Sequence, residues 1–388
     1  MPEQAARDQQ HLVIEGWREI SHSYALVNQW QLLGLMRQGV ELKHYDVPFR
    51  HDSWNHTDAK PGFNKPDLDL LKSINPFHGD RSDVAYRIAH PLACPETKAA
   101  RRLSFSTCEH WATEDLGLDA EQFRSFLDVD CSVVTPSNWS ALGLHQLGIP
   151  LERLYVVPHG VATAYFHPDP PEIKNSYRQS LGFTPDHFVI LSLGAMTSNK
   201  GIDLLLRAFA ALVDTHPHIR LVLKDHACLY GDGPLDSLRD FLRDNPGLFN
   251  ERVTQRILIL GGNRTLADLR SLYAMADCYA SPYRAEGFGL TPLEAAACGT
   301  PIIVTSGGAT DDYVHPSFAL GIEADIVSHD TMEGFFLEPN FDSLVDGLQT
   351  MIEGRARDLN RDEALTRIGS QHDWGTVCRQ LERVLTGS

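Results

Sequence analysis

Apolar residues along the chain gather in short runs rich in Val, Ile and Leu. Most runs are followed by a longer stretch whose apolar positions recur with helical spacing. In the first half the runs are Leu12–Ile14, Val40–Tyr45, Val84–Ile88, Leu103–Thr107, Cys131–Thr135 and Leu154–Val157. In the second half they are Phe188–Leu193, Ile219–Lys224, Ile257–Leu260, Cys278–Ala280 and Pro301–Val304. Strands that are apolar on both faces and alternate with helices pair in parallel, because each crossover lays a helix over the sheet. The pattern therefore predicts an α/β protein with parallel sheets covered on both faces. Ser137, just ahead of the amphipathic stretch Asn138–Leu147, supplies the hydroxyl oxygen that a helix N-cap needs.

The alternation fails in two places. Val157-Pro158-His159-Gly160-Val161, followed by Phe166-His167-Pro168-Asp169-Pro170-Pro171, is dense in Pro and Gly and reads as a connection between domains. A boundary near residue 167 divides the chain into an N-terminal domain, residues 1–167, and a C-terminal one, residues 168–370, with residues 371–388 left as a final helix. The second break runs from Pro48 to Gly79, a polar Pro/Gly-rich stretch that reads as one long loop. A length of 388 residues agrees with two cores and a cleft between them. No sequence repeat relates the halves.

Composition narrows the classes of function. With 43% hydrophobic and 22% charged residues and no apolar run of the ~20 residues that a membrane helix needs, the chain reads as soluble and without a transmembrane span. Its first ten residues, MPEQAARDQQ, lack the basic start and apolar core of a signal peptide, so a cytoplasmic protein is expected. The seven cysteines show no paired spacing and imply neither disulfides nor a zinc site. A formal charge of −17 argues against nucleic acid as a partner. One small basic patch, Lys98-Ala-Ala-Arg101-Arg102, reads as a solvated face and leaves room for peripheral contact with a membrane surface.

The chemistry concentrates after the strand ending near Ala280. There the chain reads Ser281-Pro-Tyr-Arg-Ala-Glu286-Gly287-Phe288-Gly289-Leu290-Thr291-Pro292-Leu293-Glu294, a strand, a tight loop and a helix. Gly287 and Gly289 let backbone approach a ligand, Pro292 suits a first helical turn, and the free amides of a helix N-terminus favour an anion such as a diphosphate. Glu286 and Glu294 stand on either side of that turn and suit the hydroxyls of a sugar or ribose. The small-residue loop Thr305-Ser306-Gly307-Gly308 follows the next strand, and ligands of open parallel sheets gather at such ends.

With Ala295, Ala297, Gly299 and Pro301 added, this stretch resembles the signature of the group-1 (family 4) retaining glycosyltransferases, which have seven residues between the two glutamates. The resemblance extends to Leu193-Gly194, Lys200-Gly201-Ile202-Asp203 with Ala208-Phe209, Ile259-Leu260-Gly261, Leu269 through Asp277, and Val156 through Val161, and covers most of residues 131–376. It implies the GT-B fold, two Rossmann-like domains whose parallel sheets face a central cleft. It implies that Glu294 binds the ribose of a nucleotide, that Glu286 contacts the donor sugar, and that the backbone of Gly287, Phe288, Gly289, Leu290 and Thr291 holds sugar hydroxyls and phosphate oxygens. Lys200 would neutralise the departing diphosphate. The family has an Arg after the glycine at 194, where this chain has Ala195. Lys224 is the candidate replacement, the other reading being an exposed lysine at a strand end.

The first half departs further. The family's opening strand leads into a glycine-rich loop that touches the diphosphate and the acceptor, and Gly16 is the matching position here. The loop from Gly16 to Tyr24 has unusual content and suggests a specialised acceptor side, with Trp17 or Tyr24 either stacking on a sugar or packing under the following helix. Many relatives have a His at the end of the fourth strand. Glu109 or His110 is its counterpart here, with Glu109 favoured by register. Asp128 and Asp130 resemble a metal-binding pair of the other large glycosyltransferase fold, but they precede a strand as a structural loop does, so no metal site is expected. The segment Asp373-Trp374 to Leu385 resembles the family's last helix, which crosses back to the first domain.

The expectation is a metal-independent hexosyltransferase without a separate cofactor. It would move a sugar from a nucleoside diphosphate sugar, a UDP-sugar first and GDP-mannose next, to a saccharide or other hydroxyl acceptor with retention. The alternatives are a noncatalytic sugar-nucleotide-binding partner of another transferase, motivated by Ala195 and the altered His position, or a sugar-nucleotide epimerase or phosphorylase of the same fold.

Overall fold

A computed structural model describes residues 11–20, 22–51, 54, 62–225, 233–262, 264–328, 334–356 and 358–387. Strands β1 (Leu12–Gly16), β2 (Leu42–Asp46), β3 (Arg81–Ile88), β4 (Lys98–Phe105), β5 (Ser132–Thr135) and β6 (Leu154–Val156) form one parallel sheet in the order β2-β1-β3-β4-β5-β6. Strands β7 (Phe188–Leu193), β8 (Ile219–Lys224), β9 (Ile257–Leu260), β10 (Cys278–Ser281), β11 (Ile302–Thr305) and β12 (Ala319–Ile322) form a second, in the order β12-β11-β10-β7-β8-β9. Each predicted run therefore forms a strand, with ends shifted by a few residues. The edge strand β12 and the antiparallel hairpin β13 (Ala324–Ser328) and β14 (Phe335–Pro339) come in addition.

Strand β1, between β2 and β3, is buried along its whole length, including Glu15. A carboxylate is stable there because it is fully bonded. Arg87 Nη1 donates to it at 3.2 Å, and the amides of Glu96 and Thr97 donate at 3.0 and 2.7 Å. Gly16 ends this strand beneath helix α1 (Ser23–Arg37). A Cβ at that position would lie 2.6 Å from Asn28 Nδ2, an amide that also bonds the Trp17 carbonyl at 2.9 Å. Gly16 thus serves the approach of helix to strand.

The expected loop from Pro48 to Gly79 holds a helix, α2 (Lys65–Lys72). Asn64 caps it by accepting from the amide of Asp67 at 2.9 Å, and Pro66 occupies its first turn. Within that stretch, residues 52, 53 and 55–61 lie outside the described residues.

Helix α1 is buried on nearly every side because the last helix (Trp374–Thr386) lies across it. Trp30 stacks on Trp374 with ring centroids 6.4 Å apart, and Gln38 Nε2 donates to Gly375 O at 2.8 Å. The basic patch has a part in this contact. Lys98, Arg101 and Arg102 lie on β4, and Arg101 is half-buried, its Nη2 donating to Val384 O at 2.7 Å. The patch is therefore partly spent holding the last helix. One apolar cluster joins β1, α1 and the last helix to β7, Tyr273 and Tyr279 in the second half, so the two sheets share packed surface. Among the described residues no helix is long and apolar enough to cross a membrane.

Candidate functional site

Carboxyl ends of β7 and β10 adjoin the point where the strand order of the second sheet reverses, the place where open α/β sheets leave a crevice. A cavity of about 550 Å³ opens there and is closed from the other side by loops of the first half. Glu286, Gly287, Phe288, Gly289, Leu290, Thr291 and Glu294 line it, together with Lys200 and Lys224.

The loop after β10 owes its path to two glycines. Gly289 has φ 87°, and Gly287 lies so close to the first half that a Cβ would sit 2.8 Å from Cβ of Thr107. Helix Leu290–Ala297 starts directly after Gly289. Glu286 Oε1 accepts from Lys200 Nζ at 2.7 Å, both side chains being mostly buried. One turn into the helix, Glu294 Oε2 accepts from the hydroxyl of Tyr273 at 2.7 Å. Thr291 is held by Tyr279 at 2.7 Å. Lys224 is 2% exposed, which removes the reading of a solvated strand-end lysine; its ammonium bonds the Asp225 carbonyl.

The first-half wall consists of Ile20, His22, Ser23, Tyr24, Leu26, Thr107, Glu109 and His159. Glu109 lies on the cavity and His110 does not. The His110 ring turns away to Asp115, with Nδ1 2.8 Å from Oδ1, and its backbone carbonyl accepts from Phe335 N of the hairpin at 2.6 Å. Both residues lie in the bend that follows β4, where the chain turns one side chain to the cavity and the next to Asp115. Gly16 is likewise absent from the lining, for the packing reason given above. Of the two aromatic residues expected near an acceptor, Tyr24 lines the cavity, its hydroxyl 3.2 Å from Thr107 Oγ1. Trp17 is buried behind it and donates to Pro48 O at 3.1 Å. Asp128 and Asp130 are exposed on the turn between helix Ala120–Leu127 and β5, away from the lining. Among the described residues no group of three or more His, Cys, Asp and Glu is placed to hold a metal ion.

His159 and Arg264 also line the cavity. His159 sits in the Pro/Gly-dense connection, within the stretch Val156–Val161 that shares the family resemblance but carries no expected site residue. The signal was a polar ring flanked by Pro158 and Gly160 at the exit of a strand.

Contacts across the cleft fix the two walls to each other. Ser137, the cap of helix Asn138–Gln146, donates from Oγ to Gly287 O at 2.7 Å, and Ser140 does so at 3.3 Å. The N–H of Asn138 donates to Asp312 Oδ2 at 2.7 Å, and Trp139 Nε1 donates to Glu109 O at 2.9 Å. One helical turn thus grips the loop bearing Glu286 and the loop bearing Glu109.

This enclosure shapes the titration. Burial raises the carboxyl of Glu294 to about 7 against the opposing bond from Tyr273. Burial also raises Glu109, with Lys200 opposing and Glu286 and Asp115 reinforcing. Burial lowers His159 to about 3 and, helped by His90, His22 to about 4, so both rings are neutral near pH 7. For His110 burial opposes protonation, but the bond to Asp115 raises it.

Residues 173–370, about half of the chain, match the family described as Glycosyl transferases group 1. Among curated proteins, the lipopolysaccharide core biosynthesis mannosyltransferase of Rhizobium meliloti is 31% identical over 41% of this chain and 42% of its own length. A GDP-mannose-dependent monoacylated phosphatidylinositol monomannoside mannosyltransferase of Corynebacterium glutamicum is 32% identical over 47% of this chain and 45% of its own. The chain thus spans less than half the length of these relatives. An uncharacterized glycosyltransferase of Methanocaldococcus jannaschii matches more of the chain, 78%, at 28% identity over 71% of its own length. Among solved structures, Anabaena HepE in complex with UDP-glucose superimposes with a TM-score of 0.69 over 98% of this chain and 100% of its own at 15% identity. At that identity the likeness speaks for the fold, which is GT-B.

Proposed function

Because the chain belongs to the group 1 glycosyl transferases, we propose that it moves a sugar from a nucleoside diphosphate sugar to an acceptor hydroxyl, with retention at the anomeric carbon and without a metal or other cofactor. The observation that supports this most is the second-half wall. Lys200, Lys224 and Arg264 bring three cations to a cavity that also receives the N-terminus of helix Leu290–Ala297, and Glu286 and Glu294 stand beside them. Cations and free amides fixed before the reaction stabilise charge as it grows on a leaving diphosphate, the role a metal ion has in other transferases. Lys224 takes the place of the cation missing at Ala195.

In this reading Glu294 accepts from the ribose hydroxyls, Glu286 from the donor sugar, and the amides of residues 287–291 bond the sugar and phosphates. A hydroxyl held on the face that the diphosphate leaves gives its proton to the departing phosphate oxygen and forms the new glycosidic bond on that same face. Glu109, whose carboxyl burial raises, stands on the acceptor side of this exchange. We take a UDP-sugar as the first donor and GDP-mannose as the second, one named for the HepE complex and the other for the Corynebacterium relative.

The test is release of nucleoside diphosphate from a panel of sugar nucleotides, with and without acceptor and EDTA. Acceptor-dependent release that is insensitive to EDTA is expected. Interconversion of the sugar with no release would favour an epimerase, and binding with no turnover a noncatalytic partner.

Glu294 makes nucleotide binding pH-dependent. Ribose hydroxyls donate to the ionised carboxylate and lower its pKa in the complex, so binding releases a proton wherever the free protein holds one. With the free carboxyl at about 7, affinity is full at pH 8 and falls on acidification, about tenfold between pH 8 and pH 6. Calorimetric titrations at the two pH values measure this, and Glu294→Gln, which removes the titration, controls for protonation of the ligand.

A further inference from the structure

The first-half wall faces the proposed donor site with neutral groups and one carboxyl. His22 caps helix Ser23–Arg37, its Nδ1 accepting from the amide of Tyr24 at 3.1 Å. A nitrogen that accepts carries no proton, so the neutral ring carries its proton on Nε2. The ring is clamped, with centroids 5.2 Å from Trp17, 5.4 Å from Trp54 and 5.5 Å from Tyr24. With Nδ1 committed to the helix, Nε2–H is the polar group His22 has left for the cavity it lines. Glu109 adds acceptor oxygens, Tyr24 and Thr107 add hydroxyls, and Ile20 and Leu26 add apolar surface. The charge on this wall, among the described residues, is that of Glu109 and is negative. The cations Lys200, Lys224 and Arg264 stand on the opposite wall, where the donor's diphosphate would occupy them.

We infer that the acceptor is an uncharged polyol or glycoside, one hydroxyl of which accepts a hydrogen bond from His22 Nε2–H while another donates to Glu109, its C–H face resting on Ile20 and Leu26. Alternating donor and acceptor groups beside apolar surface suit a sugar ring, which presents hydroxyls at its rim and C–H bonds on its faces. A phosphoryl group on the acceptor would meet the Glu109 carboxylate with its counter-charges already engaged by the donor. The inference rests on the reading of the second-half wall as the donor site.

The experiment compares acceptors in pairs that differ by one phosphate: methyl hexosides against hexose 6-phosphates, and inositol against inositol phosphate. Transfer kinetics and saturation-transfer NMR on the full chain are both read. The neutral member of at least one pair is expected to bind and to be glycosylated, with kcat/KM at least ten times that of its phosphorylated counterpart.

Two substitutions separate the ring's roles. In His22→Asn the side-chain oxygen replaces Nδ1 as the helix cap but nothing replaces Nε2–H, so acceptor KM should rise about tenfold, as for loss of one neutral hydrogen bond. In His22→Gln the amide reaches the Nε2 position, and acceptor KM should return to within about threefold of the wild type. Nucleoside diphosphate affinity should be unchanged in both. A preference for the phosphorylated members, no binding of any neutral member, or equal KM in the Asn and Gln variants would overturn the inference. Failure of nucleoside diphosphates to bind the wild type would overturn the donor reading instead, and the NMR ranking of the pairs still decides the acceptor class.

Discussion

Glu286→Ala will lower kcat by about 10³-fold or more while leaving the fold and nucleoside diphosphate binding in place. The carboxylate lines the cavity and is paired with Lys200 at 2.7 Å. In the proposed function its hydrogen bond to the donor sugar would strengthen as positive charge develops at the anomeric centre, so its loss should fall on the chemical step more than on ground-state affinity. Little destabilisation accompanies the change, because Lys200 keeps access to water once the bond to Glu286 is gone, its side chain being 23% exposed. A second effect follows from the same cluster. Negative charge on Glu286 raises the carboxyl of Glu109, so its removal moves Glu109 toward the ordinary carboxylate range and shifts the acid limb of any residual activity to lower pH. Single-turnover kinetics across pH, with circular dichroism as the control, measure both effects. Unchanged turnover would remove Glu286 from the site.

Lys200→Ala carries the second large effect, a fall in kcat of about 10²-fold with a smaller rise in donor KM. Charge on the bridging and terminal phosphate oxygens grows as the sugar departs, and a fixed ammonium stabilises it most at that stage. Lys200 also opposes the upward shift that burial gives Glu109, so without it the Glu109 carboxyl rises further. Lys200→Arg keeps the charge but replaces a compact ammonium by a planar fork and should recover only part of the rate. Lys224→Met should act on the same step if, as proposed, Lys224 supplies the cation that Ala195 does not. A loss in the double variant smaller than the product of the two single losses would show that both cations act on one group. Measuring kcat and KM for the four variants against the wild type decides the case, and equal effects on kcat and KM would point to simple donor binding.

The two walls differ in how far sequence reveals them. Glu286, Gly287, Gly289 and Glu294 lie within one strand–loop–helix unit, so their joint placement follows from local geometry that a spacing pattern preserves. The first-half wall draws a few residues from each of three loops and from the start of helix α1. Ile20 and His22 follow β1, Thr107 and Glu109 follow β4, and His159 follows β6. No spacing relates them, and only the packed sheet brings them together.

Gly16 shows the limit of transferring a position by its place after a strand. Because β1 runs on through Glu15 and Gly16, the glycine falls inside the sheet, and the loop that reaches the cavity begins later. Strands with both faces covered were legible as continuous apolar runs. Hairpin β13 and β14 was not, since Ile326 and Phe335 are exposed and break the association of apolar residues with the core. Helix α2 was hidden because its lone apolar stripe, Leu68, Leu70 and Leu71, stands among Lys, Pro and Asp that otherwise mark loops.

The central claim, that Glu294 and its neighbours form a nucleotide site, is tested most directly by titration calorimetry of the wild type and Glu294→Ala with UDP, GDP and ADP at pH 8. One nucleoside diphosphate should bind the wild type with one-to-one stoichiometry, and Glu294→Ala should weaken it at least about tenfold, as expected for loss of hydrogen bonds to a charged group. Equal affinity in the two proteins, or no binding of any nucleoside diphosphate to the wild type, would contradict it.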